Sequence, residues 1–258
     1  MAGRYAVKNN QVNVLLITLS QSNGAGQMVG SYPTDLLGLQ GGVFDAALSA
    51  GSITVTHRFN WTEPSTWGFH DYIMKQLVAK YDTPCVLLNA AMGGTGVYFQ
   101  DPTGADWNIL STTGEGSAKP LDERLLDRTK DWYDQMKTII EGAGYTMNVK
   151  IVSVIGEADS SSTTTANVYE NNATDSIAWL RTNLSLPNVE IISVRVHNNF
   201  DPARVGNSTV RTAQANIAAA DTLIEFITDS DTWSLQVDNT HYDASGYSDM
   251  SDAIYALF

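Results

Sequence analysis

The stretch Val12 to Gln27, VNVLLITLSQSNGAGQ, constrains the fold more than any other part of the chain. Apart from Asn13, its first half is a run of β-branched residues and leucine, of strand length and without polar alternation. Such a strand needs apolar cover on both faces, which parallel sheets obtain from the helices of their crossover connections. Similar runs recur at CVLLNAA (Cys85–Ala91), VKIVSVI (Val149–Ile155) and VEIISVRV (Val189–Val196), with a shorter strand at Ile53–His57. Between and after them, apolar residues at helical spacing predict helices over Phe69–Lys80, Leu121–Gly142, Ala166–Leu184, Val210–Ile227 and Gly246–Phe258. Strands alternating with helices of this length imply an α/β chain: a three-layer αβα sandwich around a mostly parallel sheet of about five strands. No internal repeat or linker interrupts it, so residues 1–258 are expected to form a single domain.

Composition narrows the partners. The formal charge of −13 opposes binding to nucleic acid or to an anionic membrane surface, because both would repel an acidic protein. A neutral or soluble substrate, small molecule or polysaccharide, is favoured instead. The single cysteine, Cys85, lies inside an apolar run and is expected to be a buried structural thiol. Neither the N-terminal segment nor Val12–Leu19 has the length of a signal peptide core or a membrane span. No His or Cys stands at metal-ligand spacing, so no metal or cofactor is expected, and His70 is expected at the surface or as a helix cap.

The second half of the opening stretch is a Ser/Asn/Gly turn that carries Ser22 out of the strand. Open α/β sheets bind ligands in the crevice beyond the carboxyl ends of their strands. Ser22 is thus either a nucleophile candidate or an ordinary turn residue. The second run leaves its strand through Gly93 and Gly94, where glycine allows a positive φ or a close backbone approach. Glu157 and Asp159 follow the third run; there carboxylates can act as acid/base groups, metal ligands or braces for loops, and Glu157 reads as a brace. The loop residues Phe59–Trp67, Tyr98 and Trp107 are aromatic surfaces that could stack on sugars or simply anchor their loops. Asp238 and His241, in DNTHYDASGY before the last helix, form an Asp-x-x-His pair in which one loop presents both a base and its carboxylate. A turn-forming aspartate and a surface histidine would give the same letters.

Five blocks in order carry a family resemblance: SQSN (Ser20–Asn23), NAAMGGT (Asn89–Thr95), GEAD (Gly156–Asp159), VRTAQ (Val210–Gln214) and DNTH (Asp238–His241). Together the chain resembles the SGNH, or GDSL-like, hydrolases, and within them the sialate O-acetylesterase-like branch that includes carbohydrate esterase family 6. The resemblance implies a flavodoxin-like fold and a serine ester hydrolase, most simply an O-acetylesterase acting on a carbohydrate without a cofactor. It implies Ser22 as nucleophile, His241 as general base and then acid, and Asp238 as the residue that orients it. It also implies an oxyanion hole from the backbone N–H groups of Ser22 and Gly94, with Gln21, Asn23 and Glu157 in support. Two positions depart from the family pattern. Ser20 stands for the usual glycine, and Ile155 stands where a glutamine could donate to the hole. An ionised Glu157 cannot replace that donor, since a carboxylate only accepts hydrogen bonds. The hole then has fewer donors, or takes one from Asn23 or a loop. The competing expectations are a carbohydrate-binding surface or virion protein that keeps the fold without catalysis, and a lipase or thioesterase of the same superfamily.

Overall fold

The computed structural model describes residues 10–26, 43–49, 52–57, 68–81, 84–99, 104–112, 119–201 and 203–258. Its strands are β1 (Gln11–Ile17), β2 (Val43–Ser49), β3 (Ser52–His57), β4 (Cys85–Asn89), β5 (Thr146–Val154), β6 (Ile191–Val194) and β7 (Ile224–Ile227). The helices are α1 (Ser22–Ala25), α2 (Phe69–Tyr81), α3 (Leu125–Gly142), α4 (Thr163–Asn183), α5 (Asn207–Ala220) and α6 (Ala244–Tyr255).

All seven described strands join one sheet in the order β3-β2-β4-β1-β5-β6-β7. Every pairing is parallel except β2 with β3. The five strands β4, β1, β5, β6 and β7 are the flavodoxin-like core, since in chain order they read second, first, third, fourth, fifth. The β2–β3 hairpin extends that core at one edge. Strand β2 was not foreseen from the sequence.

Alternation along β1 explains the opening run. Val12, Val14 and Leu16 point into one apolar layer with Leu125, Tyr133 and Met136 of α3, Tyr169 and Leu180 of α4, and Val210 of α5. Leu15 and Ile17 point into the other, with Phe69, Ile73 and Leu77 of α2 and Tyr247, Met250 and Ile254 of α6. A strand covered on both sides has no solvent face to mark with polar residues.

One helix ends earlier than its periodicity suggests. The pattern over Val210–Ile227 predicts continuous helix, but α5 stops at Ala220 and Ile224–Ile227 is β7. Asp221 breaks the helix: its Oδ1 accepts from Leu223 N at 3.0 Å and its carbonyl from Ile224 N at 3.0 Å, closing a turn. The strand is then captured by β6, with Ile191 opposite Ile224. Tertiary pairing overrides a local helical pattern here.

His70 also departs from expectation. It is 7% exposed, with Nε2 3.2 Å from Asp71 Oδ2, and is neither a surface residue nor a cap. Cys85 is buried as expected, and burial pushes its thiol up to about 12.

Candidate active site

In a sheet of this order the crevice opens where the connections from neighbouring strands leave in opposite directions, between β1 and β5 at their carboxyl ends. The exits of both strands, and that of β4, carry Ser22, Glu157, Asp159, Gly93 and Gly94, and the loop before α6 carries Asp238 and His241. At the end of β1, Leu19 adopts φ 47°, a left-handed conformation costly for a residue with a Cβ, about 1–3 kcal/mol. This bend takes the chain off the strand into α1. Ser22 then stands half-exposed between buried Gln21 and Asn23. Gly24 is required next, because a Cβ there would lie 2.6 Å from Ser20 Cβ.

Ser20, at the position where a glycine was expected, has structural work for its hydroxyl. Its Oγ accepts from Val154 N at 2.8 Å and donates to Thr18 O at 3.2 Å, tying the β1 exit to β5. Gln21 continues the seam: its N–H donates to Val154 O at 3.0 Å, and its Oε1 accepts from Ala158 N at 3.3 Å.

The β4 exit folds against the same serine. A Cβ on Gly93 would stand 3.6 Å from Ser22 Cβ, and Gly94 takes φ 75°, a conformation suited to glycine. The turn is fixed by Met92 N donating to Ser20 O (3.1 Å) and by Thr95 Oγ1 donating to Met92 O (2.7 Å). Trp107 Nε1 in turn donates to Thr95 Oγ1 at 3.0 Å. Trp107 is wholly buried, so it anchors this loop and offers no face to a sugar. The aromatics of Phe59–Trp67 lie outside the described residues.

Asp238 and His241 meet as their spacing suggests. His241 Nδ1 lies 2.7 Å from Asp238 Oδ2, while Asp238 Oδ1 accepts from the backbone N–H groups of Thr240 (2.9 Å) and His241 (3.0 Å). Partial burial raises the Asp238 carboxyl, but the hydrogen bonds from His241 and Thr240 and the nearby imidazole outweigh it and hold the group below its ordinary value.

Asn23 joins the two halves. Its Nδ2 donates to Glu157 Oε1 and to Thr240 O, both at 3.1 Å. Its Oδ1 accepts from Tyr242 N at 3.2 Å and from Tyr247 Oη at 3.3 Å. The residue after Ser22 is thus bonded to both chain neighbours of His241. Among the described residues no hydrogen bond joins Ser22 Oγ to the His241 ring itself. Both protons of the Asn23 amide are engaged, which leaves none for an oxyanion.

Glu157 is 4% exposed, and burial raises its carboxyl against the Asn23 hydrogen bond and the charges of His241 and Arg204. Its Oε2 has no hydrogen-bond partner among the described residues. Ile155 is also buried, and its carbonyl is held by Gln214 Nε2 at 3.0 Å. Asp159 plays a part that its letter alone did not reveal. It is fully buried, and its Oδ1 accepts from Val97 N (3.0 Å) and Tyr98 N (3.1 Å), clamping the loop segment that leads away from Gly94. Burial pushes it up to about 7, against the hydrogen bonds of Tyr98 and Val97.

The model of the carbohydrate esterase, sialic acid-specific acetylesterase family matches residues 68–256, well over half of the chain. The matched span takes in Gly94, Glu157, Asp238 and His241 and begins after Ser22. Among solved structures, a protein from Arabidopsis thaliana superposes with a TM-score of 0.68 at 16% identity, over 96% of this chain and 97% of its own. A carbohydrate acetylesterase from Xanthomonas citri gives 0.59 at 15% identity, over 95% of this chain and 55% of its own. A lipase from a goat rumen metagenome gives 0.52 at 10% identity, over 95% and 96%. At these identities the likeness is one of fold. No curated protein sequence matches the chain.

Proposed function

The chain belongs to the sialic acid-specific acetylesterase family of carbohydrate esterases, and from that premise we propose that it removes acetyl groups from a carbohydrate through an acyl-enzyme on Ser22. The observation that carries the proposal is the 2.7 Å Nδ1–Oδ2 contact of His241 with Asp238, in a loop that Asn23 ties to the Ser22 segment. With the Nδ1 proton directed at Asp238, the lone pair of His241 is on Nε2, the form a general base requires.

In the first step Ser22 Oγ attacks the acetyl carbonyl carbon while His241 Nε2 takes its proton. The carbonyl oxygen becomes an oxyanion, for which the backbone N–H groups of Ser22 and Gly94 are the proposed donors. Collapse breaks the bond to the sugar oxygen, which takes the proton from His241 and leaves as a hydroxyl. Water then attacks the acetyl-Ser22 ester, giving its proton to His241. The second collapse releases acetate and returns the proton to Ser22. Through both halves Asp238 stabilises the imidazolium, and Glu157 acts as a brace through Asn23. Every group that bonds are made to or broken from is supplied by the chain, the ester substrate and water.

The experiment is turnover of a small chromogenic acetate, followed by butyrate and octanoate esters. The proposal expects measurable kcat/KM on acetate that falls with chain length. Each added methylene that fits is worth only about 1–3 kcal/mol, so rejection of longer chains would reflect a short acyl pocket. A preference for octanoate would favour the lipase reading. Labelling by a fluorophosphonate at Ser22 alone identifies the nucleophile; a label elsewhere rejects the assignment.

A further inference from the structure

Arg128 occupies the first turn of α3 and looks, in sequence, like any charge on an amphipathic helix. In the fold it is 8% exposed. Its Nη2 donates to Ala90 O at 2.6 Å, its Nη1 donates to Asp122 O at 3.5 Å and approaches Met92 Sδ at 3.8 Å, and its guanidinium lies 4.8 Å from the Trp132 ring centroid. Nε has no hydrogen-bond partner among the described residues, and no carboxylate among them forms an ion pair with the group. A buried cation ordinarily needs a paired anion, because desolvation of an unpaired charge is expensive. Here the direct contacts are backbone carbonyls, a thioether and an aromatic face, and among the described residues the charge of Asp122 acts on the group without a salt bridge.

What it holds is the segment that leads into the Gly93–Gly94 turn. Ala90 N donates to Ile17 O at 2.9 Å and Met92 N to Ser20 O at 3.1 Å, so one edge of residues 90–92 is fastened to the β1 exit. Arg128 grips the other edge, by the Ala90 carbonyl and the Met92 side chain. The planar guanidinium reaches several acceptors at once in a fixed fork, which a lysine ammonium on a flexible stem does not reproduce.

Resting on the proposed acetylesterase reaction, we infer that Arg128 is a positioning residue: it presets the 90–94 turn so that the Gly94 N–H meets the oxyanion. It touches neither substrate nor nucleophile. The effect should therefore appear in the chemical step and not in substrate binding.

The test compares the wild-type protein with Arg128→Lys and Arg128→Met on a chromogenic acetate, with melting temperatures measured alongside. Losing a direct oxyanion donor costs about 10²- to 10³-fold in rate. An indirect holder is expected to lower kcat about 10- to 100-fold in Arg128→Met with KM within about threefold, and Arg128→Lys is expected to recover only part of that loss. A phosphonate that mimics the tetrahedral anion should bind the variants more weakly by the same factor, while acetate inhibits all three alike. If Arg128→Met does not fold, Arg128→Lys decides alone. Wild-type kcat in a folded Arg128→Lys, or a loss confined to KM, overturns the inference. Absence of turnover in the wild-type protein would instead reject the reaction on which it rests.

Discussion

The side-chain amide of Asn23 donates to the carbonyl of Thr240 at 3.1 Å, across 217 positions of sequence. This bond, with that from Tyr242 N to Asn23 Oδ1, fixes the loop of His241 to the turn of Ser22. Nothing in the local sequence of either segment encodes their distance. Asn23 sets it.

Replacing Asn23 by alanine therefore removes the clasp and leaves Tyr242 N and Glu157 with unmet hydrogen bonds in a buried site. Each such group costs about 1–3 kcal/mol. We expect Asn23→Ala to lower both melting temperature and kcat, and Asn23→Asp, which keeps an acceptor for Tyr242 but sets a carboxylate against Glu157, to be worse still at neutral pH. Calorimetry and kinetics at pH 7 check the order; Asn23→Asp as active as wild type would contradict it.

Asp238→Asn tests the imidazole's partner. The amide keeps the shape but cannot stabilise an imidazolium, and the usual consequence in such triads is a fall in kcat of up to about 10⁴-fold. KM should change little. A change confined to KM would make Asp238 a binding residue.

Glu157→Gln separates bracing from catalysis. The glutamine can still accept from Asn23 through its oxygen and cannot ionise. Its kinetic cost should be far smaller than that of Asp238→Asn, and its main effect should be on stability or loop order. A loss of kcat equal to that of a triad variant, with unchanged melting temperature, would assign Glu157 to the chemistry.

Asp159 gives the chain a pH dependence of known sign. Burial pushes this carboxyl from its ordinary 3.8 to about 7, against the hydrogen bonds of Tyr98 and Val97. Between those values the folded protein holds a proton that the unfolded chain has released. Its stabilising share is therefore complete below about pH 4 and is lost as pH rises towards and through 7. Asp159→Asn keeps an acceptor for Val97 and Tyr98 and removes the titration. Urea unfolding at pH 5 and pH 7.5 should show a smaller difference in the variant than in the wild type; equal differences would contradict the account.

The parts of this structure that could be read from sequence are those whose cause is local. The run Val12–Ile17 announces a strand buried on both faces, and SQSN and DNTH announce turns because Ser, Asn and Asp supply their own hydrogen bonds. The Asp238–His241 contact follows from a three-residue spacing within one loop. What escaped depends on partners far away in the chain. Strand β7 is hidden because the Ala-rich pattern of α5 runs on into it, and only Asp221 and the pairing with β6 end the helix. Strand β2, between glycines, carries no such continuous run. Arg128 reads as one charge among several on an amphipathic helix until Ala90 and Met92 are placed beside it, whereas for Trp107 loop anchoring is one of the two readings its letters allow. Asn23, named as a possible donor to the oxyanion, is committed on both sides to the architecture.

The central claim is that Ser22 is the nucleophile of an ester hydrolase. Ser22 is half-exposed, and its hydroxyl has no hydrogen bond among the described residues, so alanine should alter stability by no more than about 0.5 kcal/mol. The direct measurement is kcat for a chromogenic acetate in wild type and Ser22→Ala, each with its melting curve. A fall of about 10⁶-fold, to the small residual rate that binding and the remaining groups supply, with an unchanged melting temperature is the expected result. Undiminished turnover by a folded Ser22→Ala protein would contradict the account.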